Sequence, residues 1–179
     1  MDEFTKFTEI FEPDDRNSNY VITDKNTGES RYLTFNDIYE RIKDIELDEI
    51  VPDSIRSQFN IAKNLAVYSW FEYSFHQISE MKAFSTTEDA LKCVLGKNKK
   101  GFCGLLKKAV NMGLIKDRGF YHIPKPEDSE SIEYSQKLPK LMSNFRNNLA
   151  HGGTTIYPSA IHNLLVCRDI INQLYLNRT

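Results

Sequence analysis

Two residue types that could do phosphate chemistry stand five positions apart near the end of this sequence. The segment is Arg146-Asn147-Asn148-Leu149-Ala150-His151, followed at once by Gly152-Gly153. Histidine exchanges a proton near neutral pH, and arginine stabilises charge on a phosphate, so the pair is a minimal kit for cleaving RNA. The default alternative is an ordinary helix end. Histidine or arginine in a last helical turn interacts favourably with the helix dipole, and glycine commonly follows a helix. On an ideal helix Arg146 and His151 lie about 140° apart, and His151 stacks over Asn147 instead. The two converge if the glycines distort the last turn, if the long arginine swings round, or if two chains share one groove.

The elements that must position this segment follow from periodicity and punctuation. Residues 1–19 read as a polar arm. Tyr20–Thr23 and Arg31–Thr34 flank a turn containing Asn26-Thr27-Gly28, the pattern of a β-hairpin. A short amphipathic helix follows, with Ile38, Ile42 and Ile45 on one stripe and Asn36 as a candidate cap. Pro52-Asp53 opens the main body, and Asp53 or Ser54 can cap a helix whose inner face uses Phe59, Ala62, Ala66, Trp70 and Tyr73. No Pro or Gly occurs from Ser54 to Leu95. That stretch is one long helix or two, joined near Ser74–His76 or Ser85–Thr87. Phe102–Val110 forms a short helix, and residues 116–131 form a loop. Ser131–His151 is a second long stretch that Pro139 kinks or splits near Lys137. A last helix starts at Tyr157-Pro158-Ser159, with Ile161, Leu164, Leu165, Ile171 and Leu174 facing inward. The fold expected is all-α: an antiparallel bundle of four to five helices over residues 50–179, preceded by an appendage at residues 1–49 that holds the β-hairpin. The acidic appendage, set off by Val51-Pro52, is expected to be dispensable for the bundle.

Composition narrows the partners. With 179 residues, 40% hydrophobic and 27% charged, the chain is long enough for a real core and typical of a soluble domain. No apolar run approaches the ~20 residues that cross a bilayer, and the acidic Met1-Asp2-Glu3 does not resemble a secretory leader. Cys93, Cys103 and Cys167 are odd in number and lack metal-ligand spacing, which points to free thiols in a reducing cytoplasm. No cofactor or metal site is indicated. The net charge of −2 disfavours a strong non-specific nucleic-acid binder. Its distribution is uneven: residues 1–50 hold 14 Asp/Glu and 6 Lys/Arg (−8), whereas residues 56–118 hold 11 Lys/Arg and 5 Asp/Glu (+6). Lys97, Lys99, Lys100, Lys107 and Lys108 supply much of the excess and form either a solvated face or a phosphate-tracking patch.

Other residues carry weaker signals. Glu80 and Glu88, eight apart, either face one groove or serve as solvated or interhelical carboxylates. Lys63 and Tyr73 are further candidates for that groove. His76 and His162 read as polar positions on packed helices, Trp70 as core, and Cys103 as a buried thiol or, beside Lys99 and Lys100, a reactive one.

With these elements in place, the chain resembles the HEPN superfamily (higher eukaryotes and prokaryotes nucleotide-binding domains). The resemblance rests on Arg146-Asn147-x-x-x-His151 at the end of the second long helix of a small helical bundle. It rests also on Ser57–Phe71 and Ile78–Leu91, which look like the first long helix of a bacterial branch. It covers roughly residues 50–176. It implies a metal-independent endoribonuclease in bacterial defence, as a toxin or abortive-infection effector, acting as a homodimer in which two Arg–His pairs line one groove. Arg146, Asn147 and His151 would be the catalytic residues and RNA the substrate, with tRNA one candidate. An antitoxin or other regulatory protein is a partner that such a context would bring. The alternative is a catalytically inactive helical module that binds a partner protein or RNA.

Overall fold

The structure, a computed structural model, describes residues 4–96, 101–150 and 160–178. His151, Gly152, Gly153, Pro158, Lys97, Lys99 and Lys100 lie outside the described residues. The described chain is mostly helical, with one small two-stranded antiparallel hairpin. The strands are β1 (Val21–Thr23) and β2 (Ser30–Tyr32), paired in the register Val21↔Tyr32, Ile22↔Arg31, Thr23↔Ser30. Asp24 shapes their connection by accepting the amides of Asn26 at 2.7 Å and Thr27 at 3.1 Å. Gly28 closes it at φ +74, a conformation that favours glycine.

The helices are α1 (Asp15–Ser18), α2 (Phe35–Ile42), α3 (Asp53–Tyr68), α4 (Phe75–Leu95), α5 (Phe102–Asn111), α6 (Leu138–Ala150) and α7 (Ala160–Leu176). Two caps differ from expectation. Thr34, not Asn36, caps α2, in a reciprocal box with Asp37. Arg31 grips the same Asp37 carboxylate with two bonds of 2.6 Å. These bonds, with those of Thr34, hold the Asp37 carboxyl well below the usual carboxylate range. At α3 the cap position is Pro52, with no side-chain capping bond, and the Asp53 carboxylate instead accepts from Arg56.

The long stretch from Ser54 to Leu95 breaks between Tyr68 and Phe75 without proline or glycine. The N-terminal arm satisfies the backbone that the break releases. Asn17 donates to the carbonyls of Ser69 at 2.6 Å and Trp70 at 3.2 Å. The Asp14 amide donates to Trp70 O at 2.9 Å, and its carboxylate accepts the Tyr73 amide at 3.1 Å. Helix ends need such partners. The helix expected from Ser131 does not begin there: residues 133–137 are turns, and α6 begins only at Leu138, so Pro139 occupies its first turn, where its missing donor costs nothing, and splits no helix.

Helix α4 is the spine and packs on both α3 and α7. The fully buried Ala62, Ala66, Ala83 and Ala90 let these helices approach closely, and Phe59, Phe84, Leu91, Leu164, Ile170 and Ile171 fill the rest. Contacts from Ser79 to Ala62 O (2.8 Å) and Lys82 to Gln58 (2.8 Å) make α3 and α4 antiparallel. Leu33, Ile38, Ile42, Ile45 and Val51 belong to the same core cluster, so no gap in packing marks residue 49. Asp48 N also donates to Asn172 at 2.8 Å. Trp70 is packed against the core only in part, and Tyr73 is half-buried.

Residues 114–137 are held to α7 by polar groups. Asp169, Gln173 and Asn177, at four-residue steps along one stripe of α7 and its end, bind the backbone of Tyr121 (2.9 Å), Lys116 (2.8 Å) and Leu114 (3.0 Å). Buried Asp117 gathers the other end of the loop, accepting from the Ser131 hydroxyl (2.8 Å), the Tyr134 amide (3.0 Å), and the Ser135 amide (2.8 Å) and hydroxyl (2.6 Å). Burial opposes ionisation there, but these bonds prevail and lower the Asp117 pKa. They also take the amides of residues 134 and 135, ordering the turns that lead into helix α6.

Candidate functional site

The C-terminal half of α6 presents Asn144, Phe145, Arg146, Asn147 and Asn148 to solvent, while Leu138, Met142 and Leu149 face the core. Residues 138, 142 and 149 share one stripe, but Phe145 on the same stripe is exposed, so α6 is open to solvent all round over residues 144–148. Arg146 therefore leaves the bundle at its surface. Its guanidinium meets the Glu88 carboxylate of α4 at 3.6 Å and the Asn147 side-chain oxygen at 3.5 Å. Both contacts are at the long limit of a direct bond. Glu88 is bound more closely by Lys92, at 2.8 Å one turn along α4. The hydrogen bond that Lys92 donates to Glu88 raises the Lys92 pKa. The local picture is an exposed arginine loosely tethered to a carboxylate that is itself half neutralised. An exposed pair of this kind contributes only ~0–1 kcal/mol, so a phosphate can take the guanidinium without a large penalty.

The other sequence candidates divide. Arg146 and Asn147 sit together; His151, Lys97, Lys99 and Lys100 are outside the described residues. Lys107 is exposed on α5, whereas Lys108 reaches back to Leu95 O at 3.3 Å, at the end of α4. Glu80 and Glu88 do not share a site: Glu88 meets Arg146, and Glu80 is buried against Asn163 of α7 at 2.9 Å. Lys63 donates to Lys43 O at 3.0 Å, and burial lowers its pKa. Tyr73 packs its ring edge-on to His76, 4.9 Å between centroids, beneath Arg16. Cys103 is exposed rather than buried; Cys167 is the enclosed thiol, pushed up to about 12 by burial.

His76 is buried in α4, and desolvation lowers its pKa to about 4. His162 has a different setting from the packed position expected. It is exposed in the first turn of α7, bonded to the Tyr121 hydroxyl at 2.9 Å, with the His122 ring 4.9 Å away. This cluster escaped sequence reasoning because His122 and His162 come from a loop and a helix with no shared spacing. Beneath it Asp169 is buried and bonded to Arg168 at 2.7 Å. Among the described residues, no three His, Cys, Asp or Glu side chains gather as metal ligands would, and no helix is long and apolar enough to cross a membrane.

Compared with family models, with curated proteins and with solved structures, the chain matches none.

Proposed function

We propose that this chain is a metal-independent endoribonuclease of HEPN type, in which Arg146 holds the scissile phosphate and His151 moves protons. The observation that carries the reading is the surface position of Arg146. An exposed arginine beside an Asn in the last turns of α6, tied among the described residues by contacts of 3.6 Å and 3.5 Å, is available to an anionic ligand. In the reaction the RNA 2′-oxygen attacks the adjacent phosphorus and the bond from phosphorus to the 5′-oxygen breaks. A base removes the 2′-proton and an acid protonates the leaving 5′-oxygen, giving a 2′,3′-cyclic phosphate and a 5′-hydroxyl. His151 performs one transfer, and His151 of a second copy facing it performs the other. The planar fork of Arg146 stabilises the charge gathered on the phosphate oxygens. Asn147 orients a phosphate oxygen or the imidazole. Lys107 guides the strand, joined by Lys97, Lys99 and Lys100.

A homodimer through α6 fits this scheme. Leu141 and Phe145 lie one turn apart on its exposed face, and Ile78 and Met81 are exposed on α4. Exposed apolar groups at helical spacing suit a helix-to-helix contact. Bacterial defence, as a toxin or abortive-infection effector held by an antitoxin, is the setting the reading suggests. The test is incubation of the purified protein with a tRNA pool in EDTA. Fragments ending in 2′,3′-cyclic phosphate, absent with the Arg146→Ala variant, are expected. Cleavage of DNA at an equal rate would rule the chemistry out, because DNA lacks the attacking hydroxyl.

A further inference from the structure

The most exposed aromatic residues of the described chain all lie in its N-terminal arm. Phe4, Phe7 and Phe11 are exposed to 101%, 86% and 81%. Their i, i+3, i+7 spacing puts them on one face of a helix, and a 3₁₀ turn already forms at Phe7–Glu9. Residues 1–13 carry Asp2, Glu3, Glu9 and Glu12 against one lysine, Lys6. The arm is thus an acidic segment with an aromatic stripe; Asp14 is bonded to the α3–α4 turn, and Thr5, Glu9 and Glu12 line a cleft with Phe71 and Glu72 of that turn. Its rings project into solvent and not onto that bundle. Three exposed phenylalanines within eight residues are costly to leave in water, each able to gain ~1.5–3 kcal/mol on burial.

The same molecule offers a surface of complementary chemistry. A groove of about 410 Å³ runs between α5 and the start of α6, lined by Cys103, Lys107, Val110, Gln136, Pro139 and Lys140. Val110 and Pro139 are buried and form an apolar floor, while Lys107 and Lys140 stand exposed on the rim. No acidic residue lines it. We propose that the arm of one copy docks in this α5–α6 groove of a second copy, with Phe7 and Phe11 on the floor and Glu9 and Glu12 toward the two lysines. This stands apart from the ribonuclease chemistry, since it involves neither Arg146 nor His151, and it shares with that reading only Lys107, which a docked arm would withhold from an RNA strand.

The test titrates a fluorescent peptide of residues 1–13 into the full chain carrying Phe7→Ala and Phe11→Ala, whose own arm no longer competes. Saturable binding is expected. Lys107→Glu with Lys140→Glu in the receptor should weaken it on the order of tenfold. The same two alanines in the peptide should weaken it about tenfold or more. Sedimentation of the unaltered chain should show an association that Phe7→Ala with Phe11→Ala removes. A peptide that does not saturate, or that ignores the reversed lysines, overturns the proposal. Peptide binding without any arm-dependent association also overturns it, because the arm would then close on its own bundle.

Discussion

The loop clasp on α7 and the end of α6 are both rich in polar side chains, yet they differ in how those groups are satisfied. In the clasp, Asp117 accepts four hydrogen bonds, and Asp169, Gln173 and Asn177 each hold a backbone group of the loop. Even Gly119 is constrained, since a Cβ there would fall 2.0 Å from the Gln173 side chain. At the end of α6, Arg146 has contacts of 3.6 Å and 3.5 Å among the described residues and stands exposed. Polar groups consumed by the fold stabilise it; polar groups left loosely partnered at the surface are available for a ligand. Substitutions should therefore separate the two regions, one losing stability and the other losing only activity.

The largest effect is expected at the signature. Arg146→Ala and His151→Ala should each slow RNA cleavage about 10²–10⁴-fold. The melting temperature of Arg146→Ala should shift little, because an exposed ion pair contributes at most ~1 kcal/mol. Cleavage assays beside calorimetry decide this, and an undiminished rate in the His151 variant would end the mechanism. Asp117→Ala should do the reverse. It strands buried amides and hydroxyls and should destabilise the fold by about 3–5 kcal/mol in urea unfolding. If it proves neutral, the clasp is not the structural element described.

An acid-dependent loss of stability should come from a third place, His76. Its folded pKa of about 4 lies below the ordinary 6.5, so the unfolded chain binds this proton first as pH falls. Stability from a neutral His76 is then full above pH 6.5 and declines between about 6.5 and 4, by on the order of 2–3 kcal/mol. Asp14 titrates lower: burial raises its pKa, but hydrogen bonds from Arg16 and Tyr73 overcome this and hold it at about 2. Its contribution, present above the unfolded carboxylate range, is lost only as pH drops from about 4 toward 2. Unfolding at several pH values should show the higher step disappear in His76→Gln while the lower one stays.

The sequence made the helices and the hairpin legible because their signals are local. The stripe Ile38-Ile42-Ile45 and the face Phe59-Ala62-Ala66 are periodicity, and both are found, whereas Pro139 stands in the first turn of α6 and splits no helix from Ser131. The α3–α4 break was legible only as a choice of positions, because Asn17 and Asp14, far away in sequence, satisfy its backbone. Bonds from a side chain to distant backbone do not show in the sequence which backbone they reach, even where the donors or acceptors are periodic as on α7. For the same reason Asp117 as loop organiser and the pairing of His122 with His162 were not readable. At the candidate site, Arg146 and Asn147 were legible as residue types at a spacing. Their neighbour Glu88 was not, since nothing in the sequence says which carboxylate of α4 faces α6.

Glu88 also provides the smallest and most discriminating test of the contrast between the two regions. Its carboxylate occupies a position beside Arg146 that a phosphate would contest, and it shares its charge with Lys92. Glu88→Gln keeps the shape and removes the competing charge. Stability should hardly change, because the pair is loose and its side chains are partly solvated. If Arg146 binds the substrate phosphate, KM for a short RNA should fall by up to about fivefold, with kcat altered less than twofold. A fall in kcat at constant KM would instead make Glu88 a positioning residue that aims the guanidinium. A stability loss comparable to that of Asp117→Ala would place Arg146 among the structural polar groups and remove the reason for treating the end of α6 as a site.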